Sequence, residues 1–243
     1  MGPVPTTVVL LHGFAGTGRA WDPVVERLDP ERYTPLAPDL RGHGSARDAR
    51  PVSFAACVAD VLAAAPERFV LCGYSMGGRI AQHVALAAPD RVERLVLVAT
   101  TAGIADDDER AARRADDERL AAFAGGATIE QFADRWSAQP LFAGTPAAAA
   151  RMWREDLERN DPRALAAALR GMGTGAMEPL WDRLGALPMP ATVLAGAEDP
   201  KFVALGERLA SALPAAELVV VEGAGHGLPR EAPDAVVAAL AGR

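Results

Sequence analysis

One serine in this sequence lies in a setting that suits catalysis. Ser75 stands in the segment Gly73-Tyr74-Ser75-Met76-Gly77, after the apolar run FVLCG and before the helical run RIAQHVAL. This is the G-x-S-x-G pattern between a strand and a helix, in which a tight turn presents the serine at the helix N-terminus. The turn needs glycine at both flanking positions, because side chains there would collide with neighbouring backbone. The pattern therefore predicts Ser75 as a nucleophile or a base.

A serine hydroxyl needs a neighbour that accepts its proton, so the pattern also requires a histidine and an orienting acid. His226 follows the last apolar run, in the glycine-rich segment VVVEGAGHGL, and Asp199 follows the run ATVLAG. The chain order serine, aspartate, histidine is the order that accompanies this serine turn. Glu198, next to Asp199, is the alternative acid. We predict that Ser75, Asp199 and His226 form a catalytic triad.

Two backbone amides are candidates for stabilising negative charge on a reacting oxygen. Met76 directly follows the serine, and Phe14 lies in the segment LHGF after the first apolar run, where a second donor is expected. We predict that these two amides form an oxyanion hole.

The three remaining histidines do not suggest a metal site, because they are scattered and no H-x-x-x-H or C-x-x-C motif occurs. His12 and His43 lie in glycine-flanked loops and are expected to fix loop geometry. His83 lies inside the helix after the serine, where packing or solvent contact is expected. The sequence predicts neither a metal nor a cofactor.

The elements that must position these residues alternate between strands and helices. Helical stretches at 21–28, 53–64, 77–87 and 202–213 separate short apolar runs that lack polar alternation, as expected for strands buried on both faces. The runs are TVVLL (7–11), YTPLAP (33–38), FVLCG (69–73), LVLVA (95–99), ATVLAG (191–196) and ELVVVE (217–222). This alternation predicts a doubly wound α/β core with a mainly parallel sheet of about six strands.

A long segment without strand character interrupts this alternation. Residues 103–181 are rich in alanine and contain helical runs such as DDDERAARRADDERLAAFA. We predict that residues 1–102 and 182–243 form the core and that residues 103–181 form a helical insertion. The insertion is interpreted as a lid over the C-terminal edge of the sheet rather than as an inert decoration.

Composition narrows the functional class. The formal net charge is -7 and no lysine- or arginine-rich run occurs, which argues against nucleic acid or an anionic membrane as partner. The first residues do not read as a signal peptide, and Pro3 and Pro5 disfavour the acylation pattern that residues 1–6 match. Two cysteines are too few for a disulfide framework, so both are expected to be buried thiols of a cytoplasmic protein.

Several segments together resemble one enzyme family. LLHGFAGTG, APDLRGHGSA, AGAEDPKF and GAGHGLPREAP resemble the α/β-hydrolase superfamily over the entire chain. More narrowly, GYSMGGR, ERAARRADDERLA, FADRWSAQPLFAG, LRGMGTGAMEPLW and EDPKF resemble the 2-succinyl-6-hydroxy-2,4-cyclohexadiene-1-carboxylate synthases of menaquinone biosynthesis. The resemblance implies a lyase that eliminates pyruvate from 2-succinyl-5-enolpyruvyl-6-hydroxy-3-cyclohexene-1-carboxylate, with the triad serine acting as a base and without an acyl-enzyme.

The resemblance also assigns substrate-binding residues. Carried over position by position, they are Tyr74, Arg79, Arg113, Trp136 and Lys201, together with Arg159, which is reached only across a gap in the local alignment. A small-molecule substrate with several carboxylates fits such a set, because arginine offers fixed, fork-like donors. One departure from the family is Pro229, in HGLPRE, where the family often has a second histidine.

The residues are also compatible with different roles. Arg79 could be a solvated helix residue, and Arg113 could simply pair with the aspartates of its own helix. The same triad could serve a hydrolase of ester or carbon-carbon bonds that works through a covalent serine intermediate. A non-catalytic ligand-binding protein would be expected to lack a triad member, and none is lost here.

Overall fold

The chain forms a six-stranded sheet between layers of helices in a computed structural model that describes residues 4–242. Residues 1–3, on which half of the acylation pattern falls, lie outside the described residues. The strands are β1 (Thr6–Leu11), β2 (Tyr33–Leu36), β3 (Phe69–Tyr74), β4 (Val92–Val98), β5 (Ala191–Gly196) and β6 (Ala216–Val221). Their order is β2-β1-β3-β4-β5-β6 and every pairing is parallel. The predicted fold class is confirmed.

Burial differs between the centre and the edges of this sheet. β3 and β5 are buried along their whole length, whereas β2 and β6 alternate between partly buried and exposed residues. The prediction that all six runs are buried on both faces was therefore wrong for these two strands. An edge strand has a neighbour on one side only, so helices cover it less completely.

Helices of the core follow the strands, and a second group of helices lies between β4 and β5. The core helices are α1 (Asp22–Val25), α2 (Phe54–Ala64), α3 (Met76–Ala87), α8 (Pro200–Ala212), α9 (Leu228–Glu231) and α10 (Pro233–Leu240). The intervening helices are α4 (Asp107–Gly126), α5 (Ile129–Ser137), α6 (Ala147–Leu157) and α7 (Pro162–Met172). Short 3-10 turns occur at Gly18–Trp21, Gly44–Ala46, Pro89–Arg91, Pro140–Phe142, Thr174–Ala176 and Trp181–Ala186. Within residues 4–242, no helix is long and apolar enough to cross a bilayer.

Alternate residues of the central strands feed two separate hydrophobic layers. In β1, Val9 and Leu11 pack with α2, α3 and α8. Val8 and Leu10 point to the opposite face and pack with Trp21 and α10. Both faces of the sheet are thus covered, which requires apolar residues at consecutive positions of a strand. Both cysteines are buried and unpaired, as the sequence predicts.

The helical segment of residues 103–181 has a small core of its own. Phe132, Leu157 and Leu165 pack together there, and the core residue Ala15 joins this cluster from the loop after β1. Asp106 begins α4 by accepting a hydrogen bond from the amide of Glu109. We refer to residues 103–181 as the insert.

Two buried histidines connect the loops that follow β1 and β2. The Leu40 amide donates to His12 Nε2 at 2.9 Å, and His12 Nδ1 donates to the Gly13 carbonyl at 2.8 Å. His43 Nδ1 donates to the Arg41 carbonyl at 3.2 Å, and its ring lies 5.1 Å from that of His12. Both histidines therefore fix loop geometry, as predicted.

Burial of His43 predicts sensitivity to acid. Burial, and next the repulsion from His12, lower the pKa of His43 from 6.5 to about 3. As the pH falls, the histidine is therefore protonated in the unfolded chain before it is protonated in the folded protein. The stability contributed by the neutral, buried His43 is present above pH 6.5 and is lost between pH 6.5 and 3. We expect the free energy of unfolding to fall by about 3 kcal/mol between pH 6.5 and 4 through this residue alone.

Chemical denaturation across this pH range tests the expectation. His43→Asn keeps an amide nitrogen near the position of Nδ1, which bonds the Arg41 carbonyl, but does not titrate, so the stability of this variant should decline less steeply than that of the wild type. Equal slopes in the two proteins would show that another group causes the acid sensitivity.

Candidate active site

The turn that holds Ser75 is strained and tightly packed. Ser75 has a φ of +51° and a ψ of -109°, in the region that residues with a side chain rarely adopt. A Cβ on Gly73 would overlap the backbone of Gly77, and one on Gly77 would overlap that of Leu11. Val98, the last residue of β4, accepts a hydrogen bond of 2.9 Å from the Ser75 amide, and Thr100 donates one of 2.7 Å to the Ser75 carbonyl.

Ser75, His226 and Asp199 form a continuous hydrogen-bonded chain. His226 Nε2 lies 3.1 Å from Ser75 Oγ, and His226 Nδ1 lies 2.9 Å from Asp199 Oδ2. The tautomer consistent with both contacts has the serine donating to Nε2 and Nδ1–H donating to the carboxylate. His226 and Asp199 are buried, whereas Glu198 makes no hydrogen bond to the histidine. The arrangement can move the serine proton to His226.

A carboxylate that the sequence analysis missed holds the histidine loop. Glu231, in α9, accepts hydrogen bonds from the amides of Gly225 and Gly227, at 2.6 and 3.1 Å. These amides flank His226 on both sides, so Glu231 fixes the backbone that carries the imidazole. The only sequence signal was an acid five residues after the histidine, and that spacing alone does not indicate a contact with the backbone.

The two amides predicted as an oxyanion hole belong to adjacent strand ends. Met76 is the first residue of α3, and Phe14 lies in the loop after β1. A Cβ on Gly13 would overlap the Tyr74 ring and lie 3.5 Å from the Ser75 Cβ, so a glycine is required for this loop to approach the serine. Among the described residues, neither amide has a hydrogen-bond acceptor. Their role as an oxyanion hole stays a prediction.

A cavity of about 770 Å³ opens above the serine, between the core and the insert. Its aromatic wall is continuous: Trp136 and Phe142 come from the insert, whereas Phe14, Tyr74 and Phe202 come from the core. The Tyr74 ring lies 5.5 Å from that of His226, and the Trp136 ring lies 4.8 Å from that of Phe14. Burial raises the pKa of Tyr74, so its hydroxyl stays neutral at physiological pH.

Two arginines line the cavity on one side. Arg79, in α3, is only 7% exposed, and its Nη1 donates to the Met172 carbonyl at 2.6 Å. Arg113, in α4, is partly exposed and donates from Nε to Asp117 Oδ1 at 2.8 Å. Burial, and next the repulsion from Arg113, lower the pKa of Arg79 to about 9, so Arg79 remains a cation at neutral pH. Among the described residues, Arg113 thus pairs with a carboxylate, whereas Arg79 bonds only to a backbone carbonyl.

The other predicted binding residues divide into two groups. Lys201 lines the cavity near the triad, with its Nζ 6.0 Å from the centre of the Phe202 ring. Arg159 is exposed just beyond the end of α6 and does not line the cavity, so its predicted binding role is corrected. Asp156, Leu157 and Asn160 are the buried residues of that turn, because helical spacing puts them on the face toward the core.

Comparison with known proteins gives consistent findings. A model of the alpha/beta hydrolase family matches residues 8–239. The 2-succinyl-6-hydroxy-2,4-cyclohexadiene-1-carboxylate synthase of Salmonella newport (strain SL254) is 35% identical, over 98% of this chain and 94% of that protein. MenH from S. aureus has a TM-score of 0.92 at 28% identity, covering 99% of this chain and 94% of its own. The enol-lactonase from Burkholderia xenovorans LB400, at 24% identity, a TM-score of 0.82 and coverages of 99% and 91%, shares the fold.

The hydrogen-bonded chain predicts a reactive serine whose two partners act as a unit. A serine-directed fluorophosphonate should modify Ser75, and His226→Ala should slow this reaction by roughly 100-fold or more, as loss of a general base does. Asp199→Asn should slow it less. The double variant His226→Ala/Asp199→Asn should react no more slowly than His226→Ala, because Asp199 activates the serine only through the histidine.

Mass spectrometry of the adduct against time measures these rates. Glu198→Gln is the matched control, since Glu198 lines the same cavity without contacting His226, and it should react like the wild type. A multiplicative loss in the double variant would contradict the assignment of Asp199.

Proposed function

The chain is an enzyme that belongs to the alpha/beta hydrolase family, and from this premise we propose that it is a lyase of menaquinone biosynthesis. The proposed reaction converts 2-succinyl-5-enolpyruvyl-6-hydroxy-3-cyclohexene-1-carboxylate to 2-succinyl-6-hydroxy-2,4-cyclohexadiene-1-carboxylate and pyruvate. One structural observation supports this proposal independently of the similarity to the family. Arg79 and Arg113 line the same cavity as the hydrogen-bonded Ser75, and among the described residues Arg79 has no carboxylate partner.

The two compounds define what the site must do. A base removes the proton from the ring carbon next to the succinyl carbonyl, and the electron pair forms a double bond to the adjacent ring carbon. The existing ring double bond moves along by one position and expels the enolpyruvyl oxygen. The enolate of pyruvate then takes up one proton at its methylene carbon, so atoms and charge balance.

Ser75 is proposed as the base. Its hydroxyl proton passes to His226 Nε2 as Ser75 Oγ takes the proton from the ring carbon, and Asp199 stabilises the imidazolium that forms. Negative charge then develops on the succinyl carbonyl oxygen. The amides of Phe14 and Met76 are proposed to donate to that oxygen, which is where preorganised donors have their largest effect. No covalent intermediate is required.

The arginines and the insert are proposed to bind and enclose the substrate. Carboxylates of the substrate accept hydrogen bonds from Arg79 and Arg113, while the aromatic wall contacts the ring. Lys201 supplies a further cation on the side of the triad. The insert acts as a lid, because excluding water strengthens each of these interactions.

A hydrolase of esters or carbon-carbon bonds is the second candidate. The hydrogen-bonded serine and the two free amides suit an acyl-enzyme equally well. A neutral ester, however, gives the two arginines no partner. The lyase proposal gives Arg79 and Arg113 a role in substrate binding and is preferred for that reason.

An assay of pyruvate release from the pathway intermediate tests the proposal, with simple p-nitrophenyl esters assayed beside it. We expect Arg113→Ala to lower kcat/KM for pyruvate release roughly 30-fold, which corresponds to a loss of about 2 kcal/mol of transition-state stabilisation. Arg79→Ala should lower kcat/KM further, because Arg79 is more deeply buried. Arg79→Lys should rescue only partly, since an ammonium lacks the planar fork.

Arg119→Ala is the control, because Arg119 lies on the same helix α4 but pairs with Asp116 in an exposed position. It should behave like the wild type. The lyase proposal fails if the protein releases no pyruvate yet hydrolyses neutral esters efficiently, with both arginine variants as active as the wild type.

A further inference from the structure

The end of α6 carries the most deeply buried arginine–carboxylate pair among the described residues. Arg230 Nη2 donates to Asp156 Oδ2 at 2.6 Å, and their side chains are only 6% and 4% exposed. The pair joins the insert to the core, since Asp156 lies in α6 and Arg230 lies in α9. Neither residue lines the cavity. The pair therefore has no place in the reaction described above.

Asp156 also binds the loop that follows β1. Thr17 Oγ1 donates to Asp156 Oδ1, and the Thr17 amide donates to Asp156 Oδ2 at 3.1 Å. A Cβ on Gly16 would lie 3.3 Å from the same carboxylate oxygen. One carboxylate thus accepts three hydrogen bonds from two separate core elements. We call residues 13–17 the oxyanion loop, because Phe14 supplies the proposed amide donor.

The oxyanion loop is strained where the insert touches it. Ala15 has a φ of +62°, in the left-handed region that favours glycine. Asn160 Nδ2 donates to the Ala15 carbonyl at 3.1 Å, and Asn160 Oδ1 accepts from the Gly44 amide at 2.9 Å. Strain of this kind persists only where surrounding contacts enforce it. Two buried side chains of the insert therefore enforce the conformation next to Phe14.

The same network reaches the histidine loop through α9. Arg230 is the partner of Asp156, and the next residue, Glu231, holds the amides on both sides of His226. The Arg230 guanidinium also lies 5.7 Å from the centre of the Trp153 ring, one turn before Asp156 on α6. A displacement of α6 would therefore move the loop of the proposed oxyanion donor and the loop of the base together.

Energetics favour a geometric role for this pair. Desolvation of two buried charges offsets most of their attraction, so a well-packed apolar pair of similar volume often folds as stably. What an apolar pair cannot supply is a fixed set of directional hydrogen bonds to two loops.

We propose that Asp156 is a positioning residue that binds the insert to the oxyanion loop and, through Arg230, to the histidine loop. The reactive geometry of Ser75 then depends on the position of α6 relative to the core. The proposal rests on the proposed function in one respect, since it takes Phe14 and His226 as working groups. It does not depend on the identity of the substrate.

The test measures how fast a fluorophosphonate modifies Ser75, at a temperature well below the melting point of every variant. Asp156→Asn should slow this reaction at least tenfold, because its amide NH₂ would face the donors of Thr17 and Arg230. Thr17→Val removes the hydroxyl bonds to Asp156 and to the Arg19 amide but keeps the bond from the Thr17 amide to Asp156, so it should slow the reaction less. Arg230→Lys should retain more reactivity than Arg230→Met, since it keeps the charge.

The double variant Asp156→Leu/Arg230→Met separates positioning from stability. We expect its melting temperature to recover towards that of the wild type while Ser75 remains at least tenfold slower. Arg154→Ala is the matched control, because Arg154 lies on the same helix but forms exposed pairs with Asp134 and Glu158. It should react at the wild-type rate.

Pyruvate release provides an independent readout. The Asp156 variants should lose kcat with little change in KM, since the arginines that bind the substrate are untouched.

Wild-type reactivity in Asp156→Asn, or recovery of reactivity together with stability in the double variant, would overturn the proposal. A wild-type protein with an unreactive Ser75 would overturn it as well. Reactive Ser75 without pyruvate release would refute only the lyase assignment.

Discussion

The strained turn at Ser75 is the constraint on which the rest of the structure depends. A positive φ at a residue with a side chain costs free energy, and the turn persists because two glycines let β1, β3 and α3 approach closely. The strand order reverses between β1 and β3, so the loops that follow them lie side by side at one edge of the sheet. Ser75 and Phe14 meet for that reason, and every other group of the site is arranged around them.

Charge provides the second level of organisation. The chain as a whole is acidic, with a formal net charge of -7, so attraction of an anion must come from groups inside the cavity. Arg79 lies on α3 of the core and Arg113 on α4 of the insert, which means that both layers contribute to the cationic wall. Fork-like donors on two separate elements, one of them buried, suit a substrate with carboxylates at separate positions.

Sequence reasoning succeeded where the signal is local or ordered along the chain. The strands could be predicted from apolar runs, and the serine, aspartate and histidine from a motif and its order. The exposure of β2 and β6 could not, because an apolar run does not reveal which strand lies at an edge. The roles of Asp156 and Asn160 could not be predicted, because their partners lie 74 to 145 residues away along the chain. Arg159 was chosen by alignment, although helical spacing turns its side chain to solvent.

One cavity is proposed to bind a polyanion with its acidic ring carbon against Ser75. A crystal structure of Ser75→Ala with the product 2-succinyl-6-hydroxy-2,4-cyclohexadiene-1-carboxylate tests this claim most directly. We expect product carboxylates within hydrogen-bonding distance of Arg79 and Arg113, the succinyl carbonyl oxygen at the amides of Phe14 and Met76, and the ring carbon that bears the succinyl group facing His226 Nε2. A product bound with its carboxylates toward solvent and that ring carbon turned away from His226 would contradict the account.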